Sequence, residues 1–307
     1  MPYALAIHGG AGTILKSAMT PEKEAAYHAA LARALEAGEA VLREGGAALD
    51  AVTAAVCALE DEPLFNAGRG AVFTSEGRQE MDACIMDGRD RAAGAVAGIF
   101  GPRNPIRAAR AVMERTPHVC LIGPMALQVA QEAGLPFEAE AYFFTQSRWD
   151  ALQDTLAMRA RGEESDDPAR RHGTVGAVAR DRDGNLAAAT STGGMTAKLP
   201  GRVGDTPIPG AGCFADNATC AVSGTGHGEV FIRYTAGAEI AARMRHAGET
   251  LDQAARHVVM EDLGRNDGSG GVIAVDRDGT LALPFNCEGM YRASVREGAA
   301  PETAIYR

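Results

Sequence analysis

Residues 161–178 read Arg-Gly-Glu-Glu-Ser-Asp-Asp-Pro-Ala-Arg-Arg-His-Gly-Thr-Val-Gly-Ala-Val, and the texture changes abruptly at Gly173. From Arg161 to His172 there is no large apolar residue, and there is a proline. Such a stretch cannot bury a face, so an exposed, mobile linker is expected over about 161–172. Taken alone it reads as an inter-domain linker or a surface loop. Beyond it, Val175 and Ala177-Val178 open a strand. Thr174 therefore sits at a boundary between unstructured and structured chain. A threonine hydroxyl is a poor nucleophile without an adjacent base, and the α-amine of the same residue can be that base. Its reference pKa of about 7.7–8.0 keeps a useful fraction neutral. This chemistry requires the Gly173–Thr174 bond to break. Gly173, lacking a side chain, lets that peptide adopt strained geometry. A Gly-Thr pair entering a strand is also common, and the local residues do not choose between the two readings.

Working outward, a first hairpin is expected from Val175 through Asp181-Arg182-Asp183-Gly184 to Leu186–Ala189, with the glycine supplying a positive φ. A second copy follows at Val272–Val275, Asp276-Arg277-Asp278-Gly279 and Leu281–Leu283. Helices are expected between them at about 230–247 and, capped by Thr250, at about 251–263. Upstream, residues 3–7 read as a strand that ends in a tight turn, His8-Gly9-Gly10-Ala11-Gly12, where backbone can approach another segment. Thr20 and Pro21 then start a helix that Gly45-Gly46 ends. Leu49, Val52, Val56 and Leu59 mark a second helix, and further helices are expected at 105–115, 124–133 and 149–161. Hairpins interrupted by helical pairs suggest an α+β chain with sheets packed face to face and helices outside. Regular βαβ alternation, the mark of a doubly wound parallel sheet, is not present.

The chain has 307 residues, 46% hydrophobic and 23% charged, enough for one large domain or two ordinary ones. The formal net charge of -10 argues against a nucleic-acid or anionic-membrane partner. No apolar run approaches the ~20 residues needed to span a bilayer, and the first residues lack a basic signal-peptide region. The cysteines form no C-x-x-C pair, and as scattered, buried small residues they suit a reducing cytoplasm. The glycines at 9–12 lack nucleotide-loop spacing, and no Walker lysine is in register. Asp181-x-Asp183-x-Asn185 starts like a calcium loop, but Leu186 and Thr192 stand where glycine and glutamate are needed. No serine elbow, metal-spaced histidine cluster or histidine-based triad is evident.

The flanks of Thr174 decide more. The chain resembles plant-type L-asparaginases, also called isoaspartyl peptidases, within the Ntn-hydrolase superfamily. The resemblance rests on His8–Gly12, Pro63–Gly68 with Gly70, Met81–Ala83, Met86–Gly88, His172–Val178, Ala189–Met195, Gly201–Pro207, Gly224–Gly226 with Gly228-Glu229, and Pro284–Asn286 with Glu288–Met290. These ordered motifs cover essentially the whole chain. The resemblance implies a four-layer αββα sandwich in a single domain, 1–307. It also implies autocleavage between Gly173 and Thr174 into an α-chain of 1–173 and a β-chain of 174–307. By resemblance, Thr174 is nucleophile and base, Thr192 orients it, Thr225 and the Gly226 N–H form the oxyanion hole, and Asn66 has a supporting polar role. Arg202 forks onto the substrate α-carboxylate, while Asp205, with the Gly228 carbonyl, takes the α-ammonium. The implied substrates are small: L-asparagine and β-aspartyl dipeptides. No catalytic cofactor is implied. A structural sodium ion is implied on backbone groups of Leu59, Glu60, Glu62, Phe65, Ala67 and Arg69. Two αβ units are expected to pair as a dimer in the cytoplasm. The rivals are an N4-glycosylasparaginase and an unprocessed, catalytically silent binding homologue.

Overall fold

The computed structural model describes residues 1–163 and 173–307. Strand β1 (Ala4–Gly12) leads into helices α1 (Pro21–Arg43) and α2 (Ala48–Glu60) and then strands β2 (Met81–Asp87) and β3 (Ala93–Ile99). Next come α3 (Pro105–Arg115), β4 (Cys120–Ile122), α4 (Gly123–Glu132), α5 (Glu140–Phe143) and α6 (Gln146–Ala160). The second half holds β5 (Val175–Arg180), β6 (Leu186–Thr192), β7 (Cys213–Ala215) and β8 (Cys220–Gly226). It continues with α7 (Gly228–Tyr234), α8 (Ala236–Ala242), α9 (Leu251–Arg256), β9 (Gly270–Asp276), β10 (Leu281–Ala282), β11 (Gly289–Arg296) and β12 (Glu302–Tyr306).

Side-chain alternation sorts these elements into layers. Along β1, Leu5 and Ile7 join one apolar cluster, with residues of α1, α2 and α3. Ala4 and Ala6 join a second cluster, with β8, β9, α8 and α9. The same split separates Val175 and Ala177 from Val178 in β5, and Ile85 from Cys84 and Met86 in β2. Residues facing the second cluster are mostly small, which lets two sheets approach closely. One sheet has eight strands in the order β12-β11-β1-β5-β6-β2-β3-β4, and the other has four in the order β10-β9-β8-β7. Among the described strands only the β3–β4 pairing is parallel. The result is helix, sheet, sheet, helix, the expected sandwich.

The local chemistry works largely as the residues suggest. Thr20 Oγ1 accepts from Lys23 N at 3.2 Å at the start of α1. Both hairpin turns are held by their first aspartate: Asp181 Oδ1 accepts from Asp183 N and Asn185 N, and Asp276 Oδ1 from Asp278 N and Thr280 N. That role explains the calcium-like spacing without an ion. Asp181 Oδ2 also accepts from Ala48 N at 3.1 Å, capping α2 from across the fold.

Four expectations are corrected. His8–Gly12 is strand, not turn: β1 continues through it, with a bulge between His8 and Gly10 where it pairs with β11. The expected close approach is present, since a Cβ on Gly10 would lie 3.2 Å from Gly173 Cα. The helix expected at 230–247 breaks at Thr235, whose φ is +44°. There the Gly237 and Ala238 amides turn to the Ala211 and Gly210 carbonyls, which replace intrahelical bonds. The helix expected at 251–263 widens into a π-helical stretch, His257–Leu263, after α9. Five cysteines are buried, but Cys120, on edge strand β4, is exposed. The linker reading falls mostly on residues 164–172, outside the described residues. Arg161–Glu163 form the turn closing α6. No helix among the described residues is long and apolar enough to cross a membrane.

Candidate active site

The register of the large sheet builds the site. Val175 at the start of β5 faces Ser191 of β6, so Thr174 and Thr192 come side by side at the end of the pair. Thr174 Oγ1 lies 3.3 Å from Thr192 Oγ1, and both are buried. Thr192 Oγ1 donates to the Gly173 carbonyl oxygen at 2.9 Å and accepts from Gly194 N at 3.0 Å. Asn66 Nδ2 donates to the same Gly173 oxygen at 2.8 Å and to Gly194 O at 2.7 Å. Asn66 itself is pinned: its Oδ1 accepts from Val72 N at 3.0 Å and its backbone oxygen from Gly193 N at 3.1 Å. The peptide before Thr174 is thus polarised by two donors on one carbonyl oxygen, beside a threonine hydroxyl.

The opposite wall comes from the small sheet. Thr225, fully buried at the end of β8, accepts from Ala11 N at 3.2 Å, which leaves its own hydrogen for another acceptor. Gly226 has φ +145°, and a Cβ there would fall 2.2 Å from Ser269 O, so only glycine fits. Gly173, Thr174, Thr192, Met195, Arg202, Asp205 and Gly226 line one pocket of about 10 Å³. That is room for about one water while the chain is unbroken.

Arg202 and Asp205 stand at the far end. Arg202 Nε and Nη2 pair with Glu229 at 2.8–3.0 Å, so this fork is engaged by a neighbouring carboxylate. Burial pushes the Glu229 carboxyl up, but Arg202, its own backbone amide and His227 together hold it below the ordinary carboxylate range. Asp205 is buried, and its Oδ2 has no hydrogen-bond partner among the described residues. Burial pushes its carboxyl up to about 7, against its own backbone amide and the charge of Arg202. Gly228 opens α7 beside both groups: a Cβ on it would lie 2.8 Å from Asp205 Oδ1 and 2.9 Å from Arg202 Nη2. A buried carboxylate with one unpartnered oxygen beside a guanidinium is an arrangement that can receive a zwitterion.

Three polar residues here were not singled out by sequence reasoning. His8 is fully buried, with Nδ1 3.0 Å from Thr174 O and Nε2 2.9 Å from Ser223 Oγ. Ser223 is in turn 2.7 Å from Thr190 Oγ1. Burial pulls the His8 imidazole down to about 3, so it is neutral and fixes the Thr174 carbonyl just before β5 rather than exchanging protons. Strand alternation could have found it. If β1 continues past Ile7, His8 shares the face of Ala4 and Ala6 and points at the second sheet.

Residues 1–305 match the asparaginase family. The chain belongs to this family. An isoaspartyl peptidase of Salmonella typhimurium is 54% identical over 310 residues, covering 99% of this chain and 98% of its own. One of Escherichia coli is 53% identical over 310 residues, covering 99% and 96%. A human isoaspartyl peptidase/L-asparaginase is 41% identical over 297 residues, covering 97% and 94%.

The loop after α2 was named for sodium, and its side chains are otherwise engaged. Glu60 Oε1 accepts from Ile106 N and Ser191 Oγ, Glu62 pairs with Arg33, and Arg69 lies over the Tyr142 ring. The backbone tells more. A Cβ on Gly68 would fall 2.4 Å from Glu60 O, and one on Gly70 2.0 Å from Phe65 O and 2.7 Å from Pro63 O. Carbonyl oxygens of Glu60, Phe65 and Pro63 thus crowd the two glycines, and oxygen is the hard donor that such a cation takes, while the Leu59, Glu62 and Ala67 carbonyls already accept backbone N–H groups. Among the described residues no group of three or more His, Cys, Asp or Glu side chains could hold a metal.

Proposed function

We propose that this asparaginase-family chain cuts itself before Thr174 and then hydrolyses β-aspartyl amide bonds, in isoaspartyl dipeptides and in L-asparagine. The observation carrying this is the Gly173 carbonyl oxygen held by Asn66 Nδ2 and Thr192 Oγ1 beside the Thr174 hydroxyl. In the first reaction Thr174 Oγ adds to the Gly173 carbonyl carbon, and those two donors stabilise the oxyanion. The C–N bond breaks, the nitrogen takes the hydroxyl proton, and an ester remains. Water cleaves the ester into a Gly173 carboxylate and the Thr174 hydroxyl, leaving the α-amine already freed by the C–N break.

That amine then serves as base. It removes the Thr174 hydroxyl proton as Oγ attacks the side-chain carbonyl of a β-aspartyl substrate. Thr225 Oγ–H and Gly226 N–H take the oxyanion. The leaving amine departs with the proton, and water releases aspartate from the β-aspartyl ester. Arg202 receives the α-carboxylate, sharing its guanidinium with Glu229. Asp205, deprotonated, receives the α-ammonium with the Gly228 carbonyl. A sodium ion on the carbonyls of Leu59, Glu60, Glu62, Phe65, Ala67 and Arg69 would be structural, firming the loop that carries Asn66. Pairing of two αβ units in the cytoplasm belongs to the same reading. Free thiols agree with that compartment, and molar mass in solution tests the pairing.

Intact-mass measurement after incubation, with aspartate release from β-Asp-Leu, tests the proposal. An unbroken chain that hydrolyses the dipeptide sinks the mechanism, as does a Thr174→Ala protein that matures and stays active. The names of the relatives side with isoaspartyl peptides over glycosylated asparagine.

A further inference from the structure

A second cavity, of about 280 Å³, shares one residue with the Thr174 pocket, and that residue is Gly173. Gly173 therefore lies between the two, and its displacement after a cut before Thr174 would open one toward the other. The glycine-rich end of β1, Tyr27, Leu64, Tyr291, Lys23 and Arg148 line this second cavity. Arg148 is its unusual member. Its Nε donates to Gly70 O at 2.9 Å and its Nη2 to Leu64 O at 3.3 Å. It is half-buried, and among the described residues it has no carboxylate partner, although cations withdrawn from water are ordinarily paired. Burial draws its pKa below the ordinary arginine value, with only Tyr27 and Tyr291 opposing. Lys23, exposed at the rim, adds a second positive charge. The cavity thus offers uncompensated positive charge and an aromatic and aliphatic wall, directly beside the scissile position.

We propose that this cavity is the leaving-group subsite: it takes the second residue of a β-aspartyl dipeptide, with Arg148 and Lys23 receiving that residue's carboxylate and Tyr27, Leu64 and Tyr291 its apolar side chain. The inference rests on the hydrolase reading of Thr174. The amino acid released from a β-aspartyl dipeptide carries its carboxylate one carbon from the scissile nitrogen, so the charge enters the cavity as soon as Arg202 and Asp205 hold the aspartyl end. L-asparagine releases ammonia and leaves the subsite unused. Arg148 consequently separates dipeptide hydrolysis from asparagine hydrolysis.

The test compares steady-state kinetics on β-Asp-Leu, β-Asp-leucinamide and L-asparagine, for mature wild type, Arg148→Gln and Lys23→Gln. The wild type is expected to favour the free acid over the amide by about tenfold in KM. Arg148→Gln is expected to bring that ratio close to one and to raise KM for β-Asp-Leu more than for asparagine. Lys23→Gln, at the rim, is expected to shrink the ratio about threefold at low salt. Aspartate release from all three substrates by wild type, with acid and amide treated alike, overturns the subsite alone. An Arg148→Gln enzyme that keeps the wild-type acid-to-amide ratio also overturns it, because Arg148 is then only a clamp on two carbonyls. Should Arg148→Gln fail to fold, the wild-type ratio and Lys23→Gln still decide. No aspartate from any substrate sinks the hydrolase reading itself.

Discussion

Asp205 should make recognition of the substrate ammonium steeply pH-dependent. Its carboxyl is fully buried with an unpartnered oxygen, and burial lifts it to about 7. The raised value has a definite sign. In the empty enzyme Asp205 favours the folded chain below its ordinary pKa, and that contribution is lost as pH rises through about 7. Binding an ammonium needs the ionised form, so affinity must follow the ionised fraction. Between pH 8 and pH 6 that fraction falls about tenfold for a group titrating near 7. The assay is competitive inhibition of β-Asp-Leu hydrolysis by L-aspartate and by succinate, the same skeleton without the ammonium. The aspartate inhibition constant should rise about tenfold from pH 8 to pH 6, and the succinate constant should not. Asp205→Asn removes the buried counter-charge and should weaken aspartate by about 3 kcal/mol, roughly a hundredfold, with no slope left below pH 8. Because both inhibitors are read on one enzyme, titration of the Thr174 amine cancels from the comparison. Equal slopes for aspartate and succinate, or an unchanged slope in Asp205→Asn, would refute the assignment.

Other consequences are open to direct measurement. Thr192→Val or Asn66→Ala removes one of two donors to the Gly173 oxygen and should slow self-cleavage about 100-fold or more, read by gel band or intact mass over time. Cleavage at the wild-type rate in both variants would detach these residues from the step. His8, at about 3 when folded, makes the chain less stable as pH falls from about 6.5 toward 3, because the unfolded state binds the extra proton. The expected slope is about 1.4 kcal/mol per pH unit, and the acid-side drop in thermal midpoint should shrink in His8→Asn. Gly226→Ala meets Ser269 O at 2.2 Å and has to distort the end of β8, so aspartate release should fall about 100-fold, with destabilisation of about 1–3 kcal/mol by thermal melt. Replacing sodium in the buffer with tetramethylammonium should lower the melting temperature if the carbonyl-lined loop holds the ion, and an unchanged melt would remove the ion from the structure.

Much of the fold was legible because local signals agreed with the tertiary environment. Thr20-Pro21, the two Asp-Arg-Asp-Gly turns and the Thr250 cap each act as their chemistry suggests. What failed was decided at a distance. His8–Gly12 looked like a turn because glycines usually break strands. Here β11 supplies a pairing partner, and the lack of side chains lets Gly173 and Thr174 approach. The helix breaks at Thr235 because the 210–211 carbonyls take the Gly237 and Ala238 amides, and nothing near Thr235 in the sequence announces that loop. In the site, motif order pointed to Thr174, Thr192, Arg202 and Asp205. The grip of Glu229 on Arg202, the His8–Ser223 contact and the cavity at Arg148 depend on segments far apart in the chain, so only the packed structure brings them into view.

The strand order of the large sheet has one more consequence. Of its eight strands, β1, β2, β3 and β4 precede Thr174, and β5, β6, β11 and β12 follow it. They are not segregated: β1 lies between β11 and β5, and β6 lies against β2. A cut before Thr174 therefore gives two polypeptides woven through one sheet, with seams at β11–β1, β1–β5 and β6–β2. Neither fragment retains the complete sheet, so a molecule cut there would be a product of its history: folding first, scission second. Denatured mature protein would have to find its partner fragment by collision, whereas the newborn chain carries both halves on one tether. The fragments made separately and mixed should regain far less activity than the same residues made as one chain.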